Sequence, residues 1–293
     1  MNVAVYGRNF PKKFNGAAIQ LFEALHDAGC KIFMNDQFLH FITENLMYKP
    51  VLSGVFHDKL PDNENFDLML SVGGDGTFLE TITCVYNRNI PVLGINTGKL
   101  GFLANVSQDQ VLGTVKQIVE KKYTLTKRFL LECNTQQPIF EKYSFALNEF
   151  TTQKLHTLNM IKIKVVCNGE YINTYWADGI IIATPTGSTA YSMSCGGPIM
   201  TPDADCFVIT PIAPHNLTLR PLVIPANSEI KLQVEGPVRE ILVTLDYRSK
   251  AVGSNVEFSI KKSDFHINVV TLSQNYYFST LREKLMWGID VRN

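Results

Sequence analysis

The sequence predicts an α/β N-terminal Rossmann-like domain followed by a mainly β C-terminal domain. Over residues 1–122, short apolar runs alternate with segments of helical period, the pattern of a parallel sheet wrapped by helices. Over 123–275 most apolar runs read as strands separated by turn residues. At the centre of the first region the run Leu68-Met69-Leu70-Ser71-Val72 stops at Gly73-Gly74-Asp75-Gly76-Thr77, a strand–glycine turn–helix junction. The closing segment, 276–293, is helix-like over Thr280 to Trp287 and is expected to pack back on the first domain.

Val3 to Tyr6 reads as the first strand. Ala17 to Ala28 places Ala18, Leu21, Phe22 and Leu25 at helical spacing, and Gly29 closes that helix. Cys30 to Met34 is the next strand, and Phe38 to Leu46 a weaker helix. After the glycine turn come a helix from Phe78 to Tyr86 with the Thr77 hydroxyl as its cap, a strand from Pro91 to Ile95, and a helix near Ser107 to Lys122. The β region offers strands at Ile161–Cys167, Tyr171–Trp176, Gly179–Ala183, Ile230–Val234, Ile241–Leu245 and Asn255–Ile260, with Asn168-Gly169 as a turn.

Composition narrows the function classes. Lys plus Arg equals Asp plus Glu at 27 each in 293 residues, so no global field draws the chain to nucleic acid or an anionic membrane, and a phosphate ligand must be held locally. No apolar run approaches the ~20 residues of a membrane span. The N-terminus runs straight into a strand pattern without a basic region, and the six cysteines lie far apart with no metal-ligand spacing. A cytoplasmic protein without disulfides is expected, and no metal ligands are assigned.

Four stretches carry chemistry. In the glycine turn, the backbone can approach a ligand closely and the first helical N–H groups are free for an anion. An aspartate there would repel phosphate unless Mg²⁺ or an attacking hydroxyl stands between, which points to phosphoryl transfer; a tight turn closed by Asp75 is the competing reading. Asn96 to Phe102 reads either as a second glycine loop or as a structural turn. Asn148-Glu149, at a strand end, suits the two hydroxyls of a ribose, or is simply an exposed strand end. Asp178 to Ser192 runs a buried strand into Thr-Pro-Thr-Gly-Ser-Thr, where hydroxyls and N–H groups make a polar cradle and Tyr191 can stack a base. His215, beside a Pro-rich turn, touches a ligand or bonds to backbone.

Together these residues resemble the NAD kinase family. Gly-Gly-Asp-Gly-Thr stands at Gly73 to Thr77, Gly-Ile-Asn-x-Gly-x-Leu-Gly-Phe-Leu at Gly94 to Leu103, and Asn-Glu at Asn148-Glu149. The Asp-Gly…Thr-Pro-x-Gly-Ser-Thr-Ala-Tyr block stands at Asp178 to Tyr191, and Pro-x-x-Pro-His…Arg-Pro-Leu-Val at Pro211 to Val223. The resemblance implies ATP-dependent phosphorylation of the 2′-hydroxyl of the adenosine ribose of NAD, giving NADP, with Mg²⁺ accompanying ATP. Asp75 would be the general base or orienting group, and Gly73, Gly74, Gly76 and Thr77 the phosphate loop. Implied NAD contacts are Asp75, Gly76, Asn148, Glu149, Trp176, Asp178, Thr189, Ala190, Tyr191, Ser192, Met193, Ser194, Ala213 and Arg248. A homodimer or homotetramer is also implied.

The chain departs from the family at Trp176, where an arginine is frequent, at Asp246-Tyr247-Arg248, where Asp-x-Gln is usual, and at Cys195. Trp176 is read as stacking on a ring and Arg248 as pairing with a phosphate. The competing functions are a lipid or sugar kinase, disfavoured for want of an amphipathic membrane-facing stretch, and a non-catalytic dinucleotide sensor, which has little use for Asp75.

Overall fold

Val3, Ala4 and Val5 are fully buried in β1 (Asn2–Gly7) because this strand lies inside a parallel sheet with both faces covered, as its unbroken apolar run requires. The computed structural model describes residues 1–99, 101–140, 143–272 and 277–288. They fall into two compact units, residues 1–127 with 267–293, and residues 128–266.

In the first unit α1 (Asn15–Asp27) buries Ala18, Leu21, Phe22 and Leu25, the four positions its period picks out. It leads to β2 (Lys31–Asn35) and α2 (Asp36–Leu46), whose cap Asn35 accepts a hydrogen bond from the Phe38 N–H at 3.2 Å. Next come β3 (Gly54–Phe56), β4 (Leu68–Gly73), α3 (Asp75–Val85), β5 (Val92–Asn96), β6 (Ala104–Val106) and α4 (Val111–Val119). The parallel order is β3-β2-β1-β4-β5, with β6 beside β5. Gly7 pairs with Val72 and Gly73 with Asn96, so the glycine turn and the loop after β5 leave the sheet at one carboxyl edge. That is the edge where ligands of open parallel sheets sit. The helix foreseen from Ser107 to Lys122 is shorter, because Ser107 and Gln110 form a capping box on a 3₁₀ turn ahead of α4.

The strand β7 (Tyr123–Asn134) enters the second unit. There β8 (Phe145–Ala146), β9 (Glu149–Lys154), β10 (Ile161–Cys167), β11 (Glu170–Ala177) and β12 (Gly179–Ala183) precede a four-residue helix, α5 (Tyr191–Ser194). After it come β13 (Cys206–Ile212), β14 (Leu222–Pro225), β15 (Ile230–Glu235), β16 (Glu240–Leu245), β17 (Arg248–Gly253) and β18 (Glu257–Leu272). The order β14-β13-β12-β9-β16-β17 makes one antiparallel sheet, while β11, β10, β15 and the first part of β18 pair antiparallel in that order. Their inner faces share a core of Phe150, Ile163, Ile182, Phe207, Val243 and Phe258. β12 has no polar face: Ile180 and Ile182 enter that core, whereas Ile181 and Ala183 pack with Met200 and Val208 on the other side.

β18 is the largest difference from the sequence expectation, which ended the strand at Ile260. It spans 16 residues in all, and its last part pairs with β5 of the first unit, Val269 opposite Val92. The helix that follows, α6 (Tyr277–Leu285), buries Leu281 and sets the Lys284 ammonium 4.8 Å from the Phe102 ring. Residues 276 and 289–293 of the expected closing segment, like Leu100 of the Gly94–Leu103 motif, lie outside the described residues. All six cysteines are unpaired. Among the described residues no helix is long and apolar enough to cross a membrane.

Arg88 holds the irregular chain between β3 and β4. Its guanidinium donates to the carbonyls of Leu60, Pro61 and Glu64 at 3.0, 3.0 and 2.7 Å. Arg88→Ala leaves three carbonyls to find water and removes charge-assisted bonds, a loss of about 2 kcal/mol. A urea melt is expected to show a lower midpoint with an unchanged slope; an unchanged midpoint would refute the anchoring role.

Candidate active site

The glycine turn ends β4 and begins α3 without a capping side chain. Gly74 occupies the cap position with extended backbone, φ −99° and ψ −169°, and the helix starts at Asp75. Thr77 therefore does not cap the helix: it lies within the first turn, buried, where its carbonyl accepts from the Thr81 hydroxyl at 2.8 Å. Gly74 and Gly76, both exposed, leave the backbone on either side of Asp75 open.

Asp75 is half-buried, and its carboxylate accepts three backbone N–H bonds from the loop after β5. Oδ1 takes those of Leu103 and Ala104 at 3.0 and 2.9 Å, and Oδ2 takes that of Phe102 at 2.9 Å. A carboxylate has about four acceptor sites, so one remains, on Oδ2. The loop comes so close that a Cβ on Gly101 would stand 1.9 Å from Asp75 Oδ1, which only glycine permits. Asn96 fixes the same loop from inside: its amide donates to the carbonyls of Lys99 and Ala104 at 2.7 and 3.2 Å and accepts from the Gly98 N–H at 2.7 Å. The structure thus makes Asn96 to Ala104 a partner of the glycine turn. Sequence reasoning saw the two loops but not the carboxylate that ties them.

The second unit repeats the device. Asp246, at φ +53° in the two-residue turn between β16 and β17, accepts from three consecutive N–H groups. Those of Leu147 and Asn148 lie at 2.8 Å and that of Glu149 at 3.2 Å. Burial pushes the Asp246 carboxyl up, while these N–H groups and Arg248 pull it down. The segment 147–149 is held from behind as well. Thr184 donates its hydroxyl to the Leu147 carbonyl and its N–H to that of Asn148, and Gly187 presses so close that a Cβ would meet the Asn148 oxygen at 2.2 Å.

With their backbone so fixed, Asn148 and Glu149 have side chains that answer nothing in the protein. Asn148 Oδ1 and Glu149 Oε2 are buried without a hydrogen-bond partner among the described residues. Such atoms are rare in a folded chain and mark a place where another molecule completes the bonding. Burial first, then the neighbouring Asp246 charge, pushes the Glu149 carboxyl up to about 8. At neutral pH it carries a proton and can donate as well as accept.

Three hydroxyls of the hydroxyl-rich stretch are turned inward. Thr184, Ser188 and Ser192 are fully buried, and Ser188 donates to the Pro185 carbonyl at 2.7 Å while accepting from the Met200 N–H at 2.9 Å. Ser192 shares a 2.8 Å bond with Thr210, so its side chain faces the core. Thr189, Ala190 and Met193 are half-buried, and Tyr191 and Ser194 exposed, which leaves these as the accessible part of the block. Asp178 is paired with Lys154 at 2.7 Å. Ala213 holds φ +44°, a left-handed backbone that costs an alanine energy and so marks a constrained turn.

Two nitrogens of the Arg248 guanidinium donate to the carbonyls of Tyr143 and Phe145, 5.2 Å from the Phe145 ring centre, while its Nε is buried without a partner among the described residues. Trp176 is half exposed with the Lys162 ammonium 4.5 Å above its ring, and the His215 backbone N–H bonds to its carbonyl at 2.8 Å. A cavity of about 460 Å³ between 155–162 and 235–240 takes in none of the residues read as site residues.

Glu149 gives a pH signature. Unfolded, the carboxyl ionises near 4.5; folded, it keeps its proton to about 8. Stability therefore falls as pH rises between those values, by up to about 1.4 kcal/mol per pH unit. Glu149→Gln is expected to melt at a pH-flatter temperature, with its advantage over the parent widening from pH 5 to 8. Parallel melting curves across that range would show that Glu149 is not so buried.

The ATP-NAD kinase N-terminal domain matches residues 12–123 and the ATP-NAD kinase C-terminal domain residues 147–272. The NAD kinase of Flavobacterium psychrophilum is 45 % identical, and that of Bacteroides fragilis 40 % identical, each over the whole of both chains. The crystal structure of an NAD kinase from Archaeoglobus fulgidus in complex with ATP superposes with a TM-score of 0.76 at 27 % identity, over 98 % of this chain and 99 % of that one. Yeast NADH kinase complexed with NADH shares the fold at a TM-score of 0.86 and 21 % identity, over 100 % of this chain and 89 % of the other. The chain belongs to the ATP-NAD kinase family.

Proposed function

We propose that the chain uses ATP to phosphorylate the 2′-hydroxyl of the adenosine ribose of NAD, giving NADP. The observation that carries the reading is Asp75, a carboxylate clamped by three N–H groups between two exposed glycines with one acceptor site left on Oδ2. That atom takes the hydrogen bond of the attacking hydroxyl. As the hydroxyl oxygen bonds to the γ-phosphorus, the bond to the β-phosphate oxygen breaks, ADP leaves, and the proton passes to the carboxylate. Fixing the carboxylate before substrate arrives is the larger part of its contribution, since phosphoryl transfer is mainly positioning and charge stabilisation.

Asn148 and Glu149 are the dinucleotide-binding pair of the second unit. A protonated Glu149 and the Asn148 amide oxygen offer a donor and an acceptor to neighbouring ribose hydroxyls, which would satisfy the two orphaned atoms. Thr189, Ala190, Tyr191, Met193 and Ser194 form the accessible rim for the rest of the dinucleotide, joined by Asp178 and Ala213. Mg²⁺ belongs to this proposal as the companion of ATP, neutralising the triphosphate. Magnesium keeps most of its shell for phosphates and water, so with the last acceptor site of Asp75 given to the hydroxyl the ion would be carried by the triphosphate and its waters. Assembly into a homodimer or homotetramer and residence in the cytoplasm belong to the same reading; light scattering tests the first.

Asp75→Asn is expected to cut NADP formation from NAD, ATP and Mg²⁺ by at least ~10²-fold, with thermal stabilisation by NAD retained. A variant that keeps a tenth of the parent rate would remove Asp75 from the reaction. Gly101→Ala, which drives a methyl group into Asp75 Oδ1, is expected to lower kcat with Asp75 itself intact. Full activity in that variant would mean that the clamp is dispensable.

A further inference from the structure

Beside β5, at the carboxyl edge of the first unit, a polar cavity of about 200 Å³ opens that the glycine turn does not itself form. Lys13 reaches it from the 3₁₀ turn ahead of α1, Asn96, Thr97 and Gly98 from the end of β5, and Asp109 from the turn ahead of α4. A water in the liquid occupies about 30 Å³, so the space holds several waters that a polyanionic group would displace.

Two side chains on its wall are unanswered. Thr97 is only 7 % exposed, and its N–H bonds to the Gly73 carbonyl at 3.3 Å, but its hydroxyl has no partner among the described residues. The residue lines the cavity, and its hydroxyl is free to donate to a ligand there. The Lys13 ammonium, likewise, has no carboxylate within ion-pair distance among the described residues. The other polar groups are spent within the loop: Asn96 on Lys99, Ala104 and Gly98, and Asp109 on the Ser107 hydroxyl at 2.6 Å. One ammonium and one carboxylate balance in charge, which suits an anion that brings its own cation. No aromatic ring lies on the wall to stack a base.

We propose that this cavity holds part of the phosphoanhydride chain of the phosphoryl donor, with Lys13 supplying charge and Thr97 a hydroxyl donor. The assignment rests on the kinase reading above and places the donor's phosphates beside Asp75, through the Thr97–Gly73 bond. The chemistry recognised is the phosphate chain, common to a nucleoside triphosphate and an inorganic polyphosphate.

The test uses the full-length chain with Lys13→Met and Thr97→Val. Lys13→Met is expected to raise the KM for ATP about tenfold and Thr97→Val about threefold, with the KM for NAD unmoved. Donor KM values equal to the parent's, or NAD and ATP values rising together, would overturn the assignment. Calorimetric binding of inorganic tripolyphosphate, without NAD, separates this claim from the reaction itself. Tripolyphosphate bound by the parent and about tenfold more weakly by Lys13→Met upholds the cavity even if no NADP forms, in which case the kinase reading alone falls. A parent that does not bind tripolyphosphate, or a Lys13→Met variant weakened toward ATP but not toward tripolyphosphate, refutes phosphate recognition there.

Discussion

A carboxylate collecting three consecutive backbone N–H groups is the interaction on which both halves of this molecule depend. Asp75 gathers Phe102, Leu103 and Ala104; Asp246 gathers Leu147, Asn148 and Glu149. Loops that hold reactive groups cannot satisfy their N–H donors in a ladder, and an unpaired donor away from water is costly. A negative charge answers three of them at once, through bonds stronger than neutral ones. The same bonds remove the freedom of the loop, so the side chains it carries are placed before a ligand arrives.

The two clamps divide the work differently. In the first unit the clamping carboxylate is itself exposed to chemistry, with one acceptor site in reserve. In the second, Asp246 works from behind, and the residues it holds, Asn148 and Glu149, carry the buried atoms left without partners among the described residues. That separation explains why Asn148 and Glu149 tolerate unsatisfied atoms: Thr184, Gly187 and Asp246 fix their backbone so firmly that the side chains need no further support. It also lets a carboxylic acid persist at neutral pH, because Glu149 is itself buried and sits close to a second buried acid.

The fold was largely legible in the sequence because its signals are local. Ala18, Leu21, Phe22 and Leu25 announce a helix stripe, and the unbroken Gly179–Ala183 run announces a strand covered on both faces. The long reach of β18 was not legible, since its later half alternates His266, Ile267, Asn268 and Val269 and finds its partner, Val92, far back in the chain. The site was read by residue type, and the structure gives two of those readings a physical setting: Asp75 is clamped by backbone N–H groups, and Asn148 and Glu149 carry buried atoms without partners among the described residues. Reading by type failed where hydroxyls were counted without asking what they already bond: Ser188 and Ser192 serve the core. Arg248 shows the same ambiguity, because two of its guanidinium nitrogens satisfy backbone carbonyls where the sequence suggested a phosphate. The role of Asp246 left one trace, an acidic residue in a two-residue turn where glycine would sit more easily.

The two clamps also differ in how much chain must be in place before each can form. The Asp75 bonds span 27 to 29 residues, a single helix and strand, whereas those of Asp246 span 97 to 99. Loop closure and non-local strand pairing slow the formation of distant contacts. During synthesis the glycine turn can therefore be clamped on a short nascent segment, while residues 147–149 wait for nearly the whole β unit to leave the ribosome. An unfinished chain has Asp75 fixed before the residue that fixes Asn148 and Glu149 has been made, and the second clamp stays open until the β16–β17 hairpin closes.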